Sequence, residues 1–374
     1  MADRRSLILT EGRFGVLDAK TAACVIRYAP DEVVAVLDSA TAGKTTDQVL
    51  GFGPPLPIVA TLADGLALGP DTFLIGVAPR GGRLPEAWRT MIRAALESGL
   101  EVVSGLHTFL GDDPELAEAA RRSGVAIRDL RRVPDDLPVA SRKAAGVDAT
   151  VVLTVGTDCN VGKMTASFEL TAAARRMGYA AAFAPTGQTG LFLGGKGLVV
   201  DRVIADFIAG AAETIVLDNA PHQDFVFVEG QGSLLHPGYS GVTLGLIHGS
   251  QPDALVLVHQ PTRLRTLNDE IEIMPLPDWV ELHERLAAYL KPAPVVAVAI
   301  NGYDLDDTQA REWAARITAE TGLPAVDPVK FGAEVLIEAL LAADLDKPRP
   351  AAAACPAAAA HGGATPREGA RGSR

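Results

Sequence analysis

Short apolar runs, separated by longer stretches of mixed character, set the rhythm of this chain. Val33-Val34-Ala35-Val36-Leu37, Phe73-Leu74-Ile75-Gly76-Val77 and Glu101-Val102-Val103-Ser104 read as strands, with Val125-Ala126-Ile127 as a short fourth. Between them apolar residues recur at helical spacing, from Pro85 to Ser98 before Gly99 and from Asp113 to Ser123 before Gly124. The second of these opens on an Asp cap followed by Pro114, a helix-start pattern. Strand alternating with helix predicts a parallel sheet carrying helices on its faces. Val133-Pro134-Asp135-Asp136-Leu137-Pro138 interrupts the rhythm and marks a domain boundary. Beyond it the alternation resumes through Thr150–Val155, Ala180–Ala184, Asp224–Val228, Asp253–His259, Val295–Ile300 and Leu323–Pro328, closing on a helix from Gly332 to Ala343.

The most informative stretch follows the strand Thr150–Val155. Gly156-Thr157-Asp158-Cys159-Asn160-Val161-Gly162-Lys163-Met164-Thr165 leads into a helical pattern, Ala166 to Met177. Strand, Gly-rich turn, Lys, hydroxyl and helix form the layout of a phosphate-binding loop, in which backbone N–H groups and a helix N-terminus hold an anion. Two details depart from the common spacing. Five residues separate the glycines instead of four, and Met164 follows the lysine where a Ser or Thr would ligate Mg²⁺. A thioether offers no oxygen to a hard cation, and the hydroxyl comes one place later, at Thr165. A loop that keeps its amides and Lys163 but weakens its metal ligand suits a phosphate that is held and not transferred, so no metal requirement is expected. Residues Gly156 through Thr165 are the expected cofactor-binding set. Asn301, after the strand Val295–Ile300, joins it because its side chain has the donor and acceptor a base edge needs. The expected fold is α/β with two parallel-sheet domains, an N-terminal Rossmann-like domain over residues 1–140 and a C-terminal P-loop NTPase-like domain over residues 141–345.

Asp224-Phe225-Val226-Phe227-Val228-Glu229-Gly230-Gln231-Gly232-Ser233 is the second strong motif, an apolar strand ending in an acid and glycines. Glu229 would face the phosphate loop from a neighbouring strand, as a metal- or water-orienting acid in a hydrolase or as a general base in a transferase. His236, on the loop that follows, is a candidate partner, against the commoner structural role of a loop histidine. Pro185 to Gly197 holds five glycines within the eleven residues from Gly187, which points to close approach of a ligand or to a flexible surface loop. Gly187, Gln188 and Thr189 are its substrate-binding candidates. Arg202, in a segment from Asp201 to Phe207 read as opening a helix, is a candidate partner for a substrate carboxylate, and Arg263 and Arg265, beyond the strand Asp253–His259, suit bidentate recognition of a carboxylate or phosphate. Gly43-Lys44-Thr45 tempts as a second phosphate loop, but it lacks the upstream glycine and competes with a polar connecting loop. The dinucleotide fingerprint G-x-G-x-x-G is missing after Val33–Leu37, so NAD binding is not supported.

At 374 residues, 48% hydrophobic and 21% charged, the chain can bury two cores of ordinary size. A net charge of −12 argues against a nucleic-acid partner, which needs a basic face, without forbidding a local pocket for a small anion. Three cysteines, Cys24, Cys159 and Cys355, form no CxxC pair, so neither a disulfide framework nor a zinc site is expected. The charged N-terminus has no signal-peptide core behind it, and no apolar run reaches membrane-spanning length. A cytoplasmic protein that binds small molecules, makes no membrane contact and forms a homo-oligomer is expected. Residues 346–374, rich in Ala and Pro and then in Gly and Arg, are expected to be a disordered tail.

The motifs carry a resemblance. Gly156-Thr157-Asp158…Val161-Gly162-Lys163 and Val228-Glu229-Gly230-Gln231-Gly232, with Asn301 after a late strand, resemble dethiobiotin synthetase and its P-loop relatives. More closely, residues 1–345 are similar to a two-domain family of D-glutamate N-acetyltransferases with a Rossmann-like N-terminal half and this altered P-loop half. The resemblance implies acetyl-CoA as cosubstrate and a role in D-amino acid catabolism. An ATP-dependent ligase or kinase of the synthetase type, and a non-catalytic nucleotide-binding regulator, are the competing readings.

Overall fold

The computed structural model describes residues 4–16, 18–77, 84–267, 271–345 and 347. The expected tail at 346–374, Lys347 excepted, lies outside the described residues.

Among the described residues, twelve strands form two sheets of six, every pair parallel. The first sheet contains β1 (Ser6–Leu9), β2 (Val33–Leu37), β3 (Ile58–Val59), β4 (Thr72–Ile75), β5 (Glu101–Ser104) and β6 (Ile127–Asp129). Their order, β3-β2-β1-β4-β5-β6, is that of a Rossmann fold, with the crossover reversing between β1 and β4. The strand at Val33–Leu37 is therefore the second, and the first is the four-residue Ser6–Leu9, buried throughout. The loop after β1 does carry Gly12 and Gly15, but the acid ending β2 is turned to another use. Asp38 is fully buried, and its Oδ2 accepts from the amides of Arg13 and Phe14 and the Thr10 hydroxyl, at 3.1–3.2 Å. It pins the loop where a dinucleotide's ribose would need it, consistent with the missing fingerprint. The Gly43-Lys44-Thr45 segment is a connecting turn: Thr45 N donates to Gln48 Oε1 at 3.1 Å, starting the helix Thr46–Leu50.

The second sheet contains β7 (Thr150–Gly156), β8 (Ala181–Ala184), β9 (Phe225–Val228), β10 (Ala254–His259), β11 (Val295–Ile300) and β12 (Ala325–Val326). Its order is β12-β11-β10-β7-β9-β8. The phosphate-loop strand β7 thus lies at the centre, flanked by β9 and β10. The ends of these strands, Gly156, Glu229 and Gln260, open on the same edge because all run parallel. β7, β9 and β10 are buried along their whole length, as expected of strands covered by helices on both faces.

Two expected local forms differ. The Gly-rich segment contains a helix, Gln188–Leu193, whose Phe192 is buried in the N-terminal domain's core. Residues 200–202 and 205–207 make two 3₁₀ turns ahead of the helix Ile208–Asn219, where a single helix from Asp201 was expected. The first difference has a clear cause: Gln188–Leu193 packs against the N-terminal domain, and tertiary contact overrides local propensity. The helix Lys20–Tyr28 lies against Gln188–Leu193, with Thr21 Oγ1 and Thr189 Oγ1 2.8 Å apart. Tyr28 Oη donates to Glu169 Oε1 at 2.9 Å, and Arg131, buried, pairs with Asp201.

Candidate functional site

The helix Lys163–Arg176 begins directly on the phosphate loop. Gly162 precedes it at φ +103°, a conformation a side-chain-bearing residue rarely adopts. No side chain caps the helix and no acid lies in its first turn. Its first amides and its positive dipole end are therefore left for an external anion. Lys163, buried, folds back over Gly156: a Cβ added there would meet Nζ at 3.1 Å and Val161 Cγ2 at 2.9 Å. Lys163 Nζ donates to the Asp158 carbonyl at 2.7 Å. Burial holds its ammonium at a pKa of about 8, below the usual lysine range. Met164 is buried in the helix's packed side, whereas Thr165 is only half-buried.

Several expected loop residues are structural supports. Asp158 is fully buried, and its Oδ2 accepts from Arg263 Nη1 at 2.9 Å and from Leu267 N at 2.6 Å. Arg263 Nη1 also donates to the Cys159 carbonyl at 2.7 Å. As placed, Arg263 clamps the phosphate loop, although it was expected to hold substrate. Thr157 is buried, its Oγ1 3.0 Å from His259 Nδ1. Burial, reinforced by Arg263, brings His259 down to about 4, so it stays neutral at physiological pH. His259 sits at the end of β10, and its motif-free sequence context gave no sign of the contact. Burial also pushes the Cys159 thiol up, which opposes a thiolate nucleophile despite the adjacent helix end. Asn160 is exposed at φ +55°. Asn301 Nδ2 would lie 3.4 Å from a Cβ on Gly162, so the expected base-reading residue does border the loop.

Glu229 ends β9 beside this loop. Its carboxylate is buried, with Oε2 accepting from Thr186 N at 3.0 Å and Gly187 N at 3.1 Å, and Oε1 from Gln231 Nε2 at 3.1 Å. Gly190 has no side chain because none fits: a Cβ there would stand 2.6 Å from Glu229 Oε2. Desolvation raises the Glu229 pKa above the ordinary carboxylate range, opposed by the Thr186 and Gly187 amides and the charges of Lys20 and Lys163. A buried carboxylate with elevated pKa, held by fixed donors beside a cationic loop, has the attributes of a general base. Of the nearby backbone amides, Gly187 N is taken by Glu229 and Gly230 N donates to Thr154 Oγ1 at 2.9 Å.

The remaining candidates divide. Gln188 packs on Gly105 of the N-terminal domain, and Thr189 is bonded to Thr21. Arg202 is exposed, with its guanidinium 5.1 Å from the Phe109 ring centre, toward the N-terminal domain and not the phosphate loop. Arg265 is exposed on the segment that follows Arg263. His236 is buried and stacked on Tyr239 at 4.5 Å, and its Nδ1 accepts from Gly238 N at 3.2 Å. Glu229's carboxylate bonds are to Thr186, Gly187 and Gln231, so the expected pairing with His236 does not appear among them. One residue is added by the fold. Lys20, exposed at the start of its helix, reaches the electrostatic neighbourhood of Glu229, Lys163 and Cys159.

A Rossmann-like sheet joined to a P-loop sheet, with a variant phosphate loop and an acid at the adjacent strand end, defines a two-domain α/β protein of P-loop type. Residues 138–337 match the family described as a domain of unknown function (DUF1611_C), P-loop domain, and residues 39–133 match its Rossmann-like N-terminal counterpart. The chain belongs to this DUF1611 family. It is 38% identical over 333 residues to a protein of Tritonibacter scottomollicae named D-glutamate N-acetyltransferase, covering 87% of this chain and 95% of that one. A protein of the same name from a Pseudoalteromonas species is 37% identical over 284 residues, 74% of this chain and 83% of its own length. The crystal structure of a DUF1611 family protein from Anabaena variabilis superposes with a TM-score of 0.86 at 41% identity, covering 90% of this chain and 99% of that one.

Proposed function

We propose that this protein transfers the acetyl group of acetyl-CoA to the amine of D-glutamate. The observation that carries the reading is Glu229, a buried carboxylate of raised pKa fixed by two backbone amides beside an uncapped phosphate loop. The names of two relatives that match most of this chain supply the reaction class and acceptor. In this reading the first amides of the helix Lys163–Arg176, together with Lys163 and Thr165, hold a phosphate of coenzyme A, and Asn301 lies where the base end would pass. Coenzyme A offers a pyrophosphate and a 3′-phosphate, both anions that such a loop holds without a transferred group. Glu229 takes a proton from the substrate ammonium. The freed amine then attacks the thioester carbonyl carbon, and the C–S bond of the resulting tetrahedral adduct breaks. The second proton shed by the nitrogen as it becomes an amide balances the one the sulfur takes up, so coenzyme A leaves as the thiol. A base so placed typically contributes 10²–10⁴-fold. The raised thiol pKa of Cys159 favours direct transfer over an acetyl-cysteine route.

Thiol release from acetyl-CoA on adding D-glutamate, with and without EDTA, tests the reading. Metal-independent thiol release is the expected result. ADP formation from ATP with Mg²⁺, with no thiol release for any acidic amino acid, would replace it with the ligase or kinase reading.

A further inference from the structure

The N-terminal domain touches the segment that surrounds Glu229. The helix Lys20–Tyr28 of the N-terminal domain is fastened to the segment that builds the Glu229 pocket: Thr21 Oγ1 lies 2.8 Å from Thr189 Oγ1. Two residues before Thr189, Gly187 N donates to Glu229 Oε2 at 3.1 Å, and one residue after it Gly190 abuts the same oxygen. Lys20, next to Thr21, therefore opens a helix fastened to this segment, and its side chain is exposed. Its charge is felt at Glu229, Lys163 and Cys159, three groups from two different loops of the other domain. The other cations near the loop are spoken for. Lys163 is buried on the Asp158 carbonyl, and Arg263 is clamped to Asp158 and Cys159. Among the described residues, no carboxylate stands within ion-pair distance of Lys20.

We propose that Lys20 binds the α-carboxylate of the amino-acid acceptor, so that the N-terminal domain completes the acceptor site across the cleft. The proposal rests on the acetyl-transfer reading for the identity of the acceptor. The amine that Glu229 deprotonates and the α-carboxylate sit on one carbon atom, so the cation that holds that carboxylate must border Glu229. Lys20 is brought toward Glu229 by the Thr21–Thr189 bond and its charge acts there, whereas Arg202 is turned toward Phe109. Lys20 also opposes the charge of Glu229, so a bound carboxylate between them neutralises the cation and leaves Glu229 the more basic group.

Calorimetric titration of D-glutamate into the full chain, wild type and Lys20→Ala, reads the proposal without turnover. Tenfold or greater weakening by Lys20→Ala, substantial recovery in Lys20→Arg, and a coenzyme A affinity within twofold of wild type are expected. 4-Aminobutyrate, which keeps the amine and distal carboxylate but lacks the α-carboxylate, should bind wild type and Lys20→Ala equally weakly. Unchanged D-glutamate affinity in Lys20→Ala, or no D-glutamate binding to wild type, overturns the assignment. So does a loss confined to coenzyme A, which would make Lys20 a phosphate ligand. Absence of thiol release from a protein that still binds D-glutamate through Lys20 would sink the acetyl-transfer reading alone.

Discussion

Lys163 and Glu229 are two buried ionisable groups whose environments push them toward neutrality from opposite sides. Burial brings the lysine down to about 8 and raises the carboxyl above its ordinary range. The two shifts set different pH limits. A phosphate needs Lys163 charged, and in the free protein that charge is lost as pH rises through about 8. Coenzyme A affinity should therefore fall above pH 8, approaching tenfold per pH unit, in a titration series from pH 7 to 9.5. Lys163→Ala should bind weakly at every pH with a flat profile; a flat wild-type profile would remove the lysine from phosphate binding. Glu229 acts as a base only when deprotonated, so kcat/KM should fall on the acid side at a pH above the ordinary carboxylate range. Glu229→Gln keeps the shape and an acceptor for the Thr186 and Gly187 amides but cannot take a proton. It should lower kcat by about 10²–10⁴-fold and leave coenzyme A affinity within about twofold, as steady-state kinetics would show. Lost coenzyme A affinity with normal kcat would reverse the two roles.

The helix Gln188–Leu193 shows how an element carries the site. Its Gly190 has no room for a methyl group, with Glu229 Oε2 at 2.6 Å and Pro185 Cβ at 2.8 Å from the position a Cβ would take. Gly241, in the helix Ser240–Ser250, is the converse: a Cβ there meets nothing within 4 Å. Gly→Ala at an open helical position gains roughly 0.5–1 kcal/mol, whereas overpacking a tight site costs about 1–3 kcal/mol. Gly241→Ala should raise the unfolding free energy in urea. Gly190→Ala should lower it and also depress kcat, because the carboxylate must move. Equal stability for both variants would show that the Gly190 pocket yields. The sequence reading reached the central elements because their signals are local. Gly156–Thr165 and Phe225–Gly232 each hold their chemistry within about ten residues of one strand end. It missed β1, which is only four residues long and follows a charged terminus, and it missed the helix at 188–193, whose one glycine, Gly190, is there to fit Glu229 and Pro185. Lys20 has no motif around it. Its place depends on two sheets docking, and no spacing along the chain encodes that. Arg263 was read as a substrate ligand from its place after a strand end, and the carboxylate it meets, Asp158, is 105 residues away in sequence.

At the scale of the whole molecule, the C-terminal domain buries two neutral histidines in different places. His259 braces Thr157 of the phosphate loop, while His283 stacks on Trp279 with ring centres 5.5 Å apart, in the helix Leu276–Ala288. Burial brings both down to about 4. Between the unfolded value of about 6.5 and the folded value, the unfolded chain binds the proton and the folded chain does not. Stability therefore rises with pH across this window and is lost as pH falls from 6.5 toward 4. Each histidine contributes on the order of 3 kcal/mol to that loss. Glu229 works in the opposite direction, since its raised pKa lets the folded state take up a proton first, so the net slope alone identifies no group. Variants separate them. His283→Phe replaces the ring with an uncharged one in an apolar setting, and urea unfolding from pH 7 to 4 should show its slope reduced by up to one proton, with coenzyme A affinity intact. His259→Phe should reduce the slope similarly and also weaken coenzyme A binding, because the Thr157 contact sits on the loop that binds it. If both variants kept the wild-type slope, the acid sensitivity would originate outside the buried histidines. If only His283→Phe flattened it, His259 would already titrate with solvent and the phosphate loop would be open at its base.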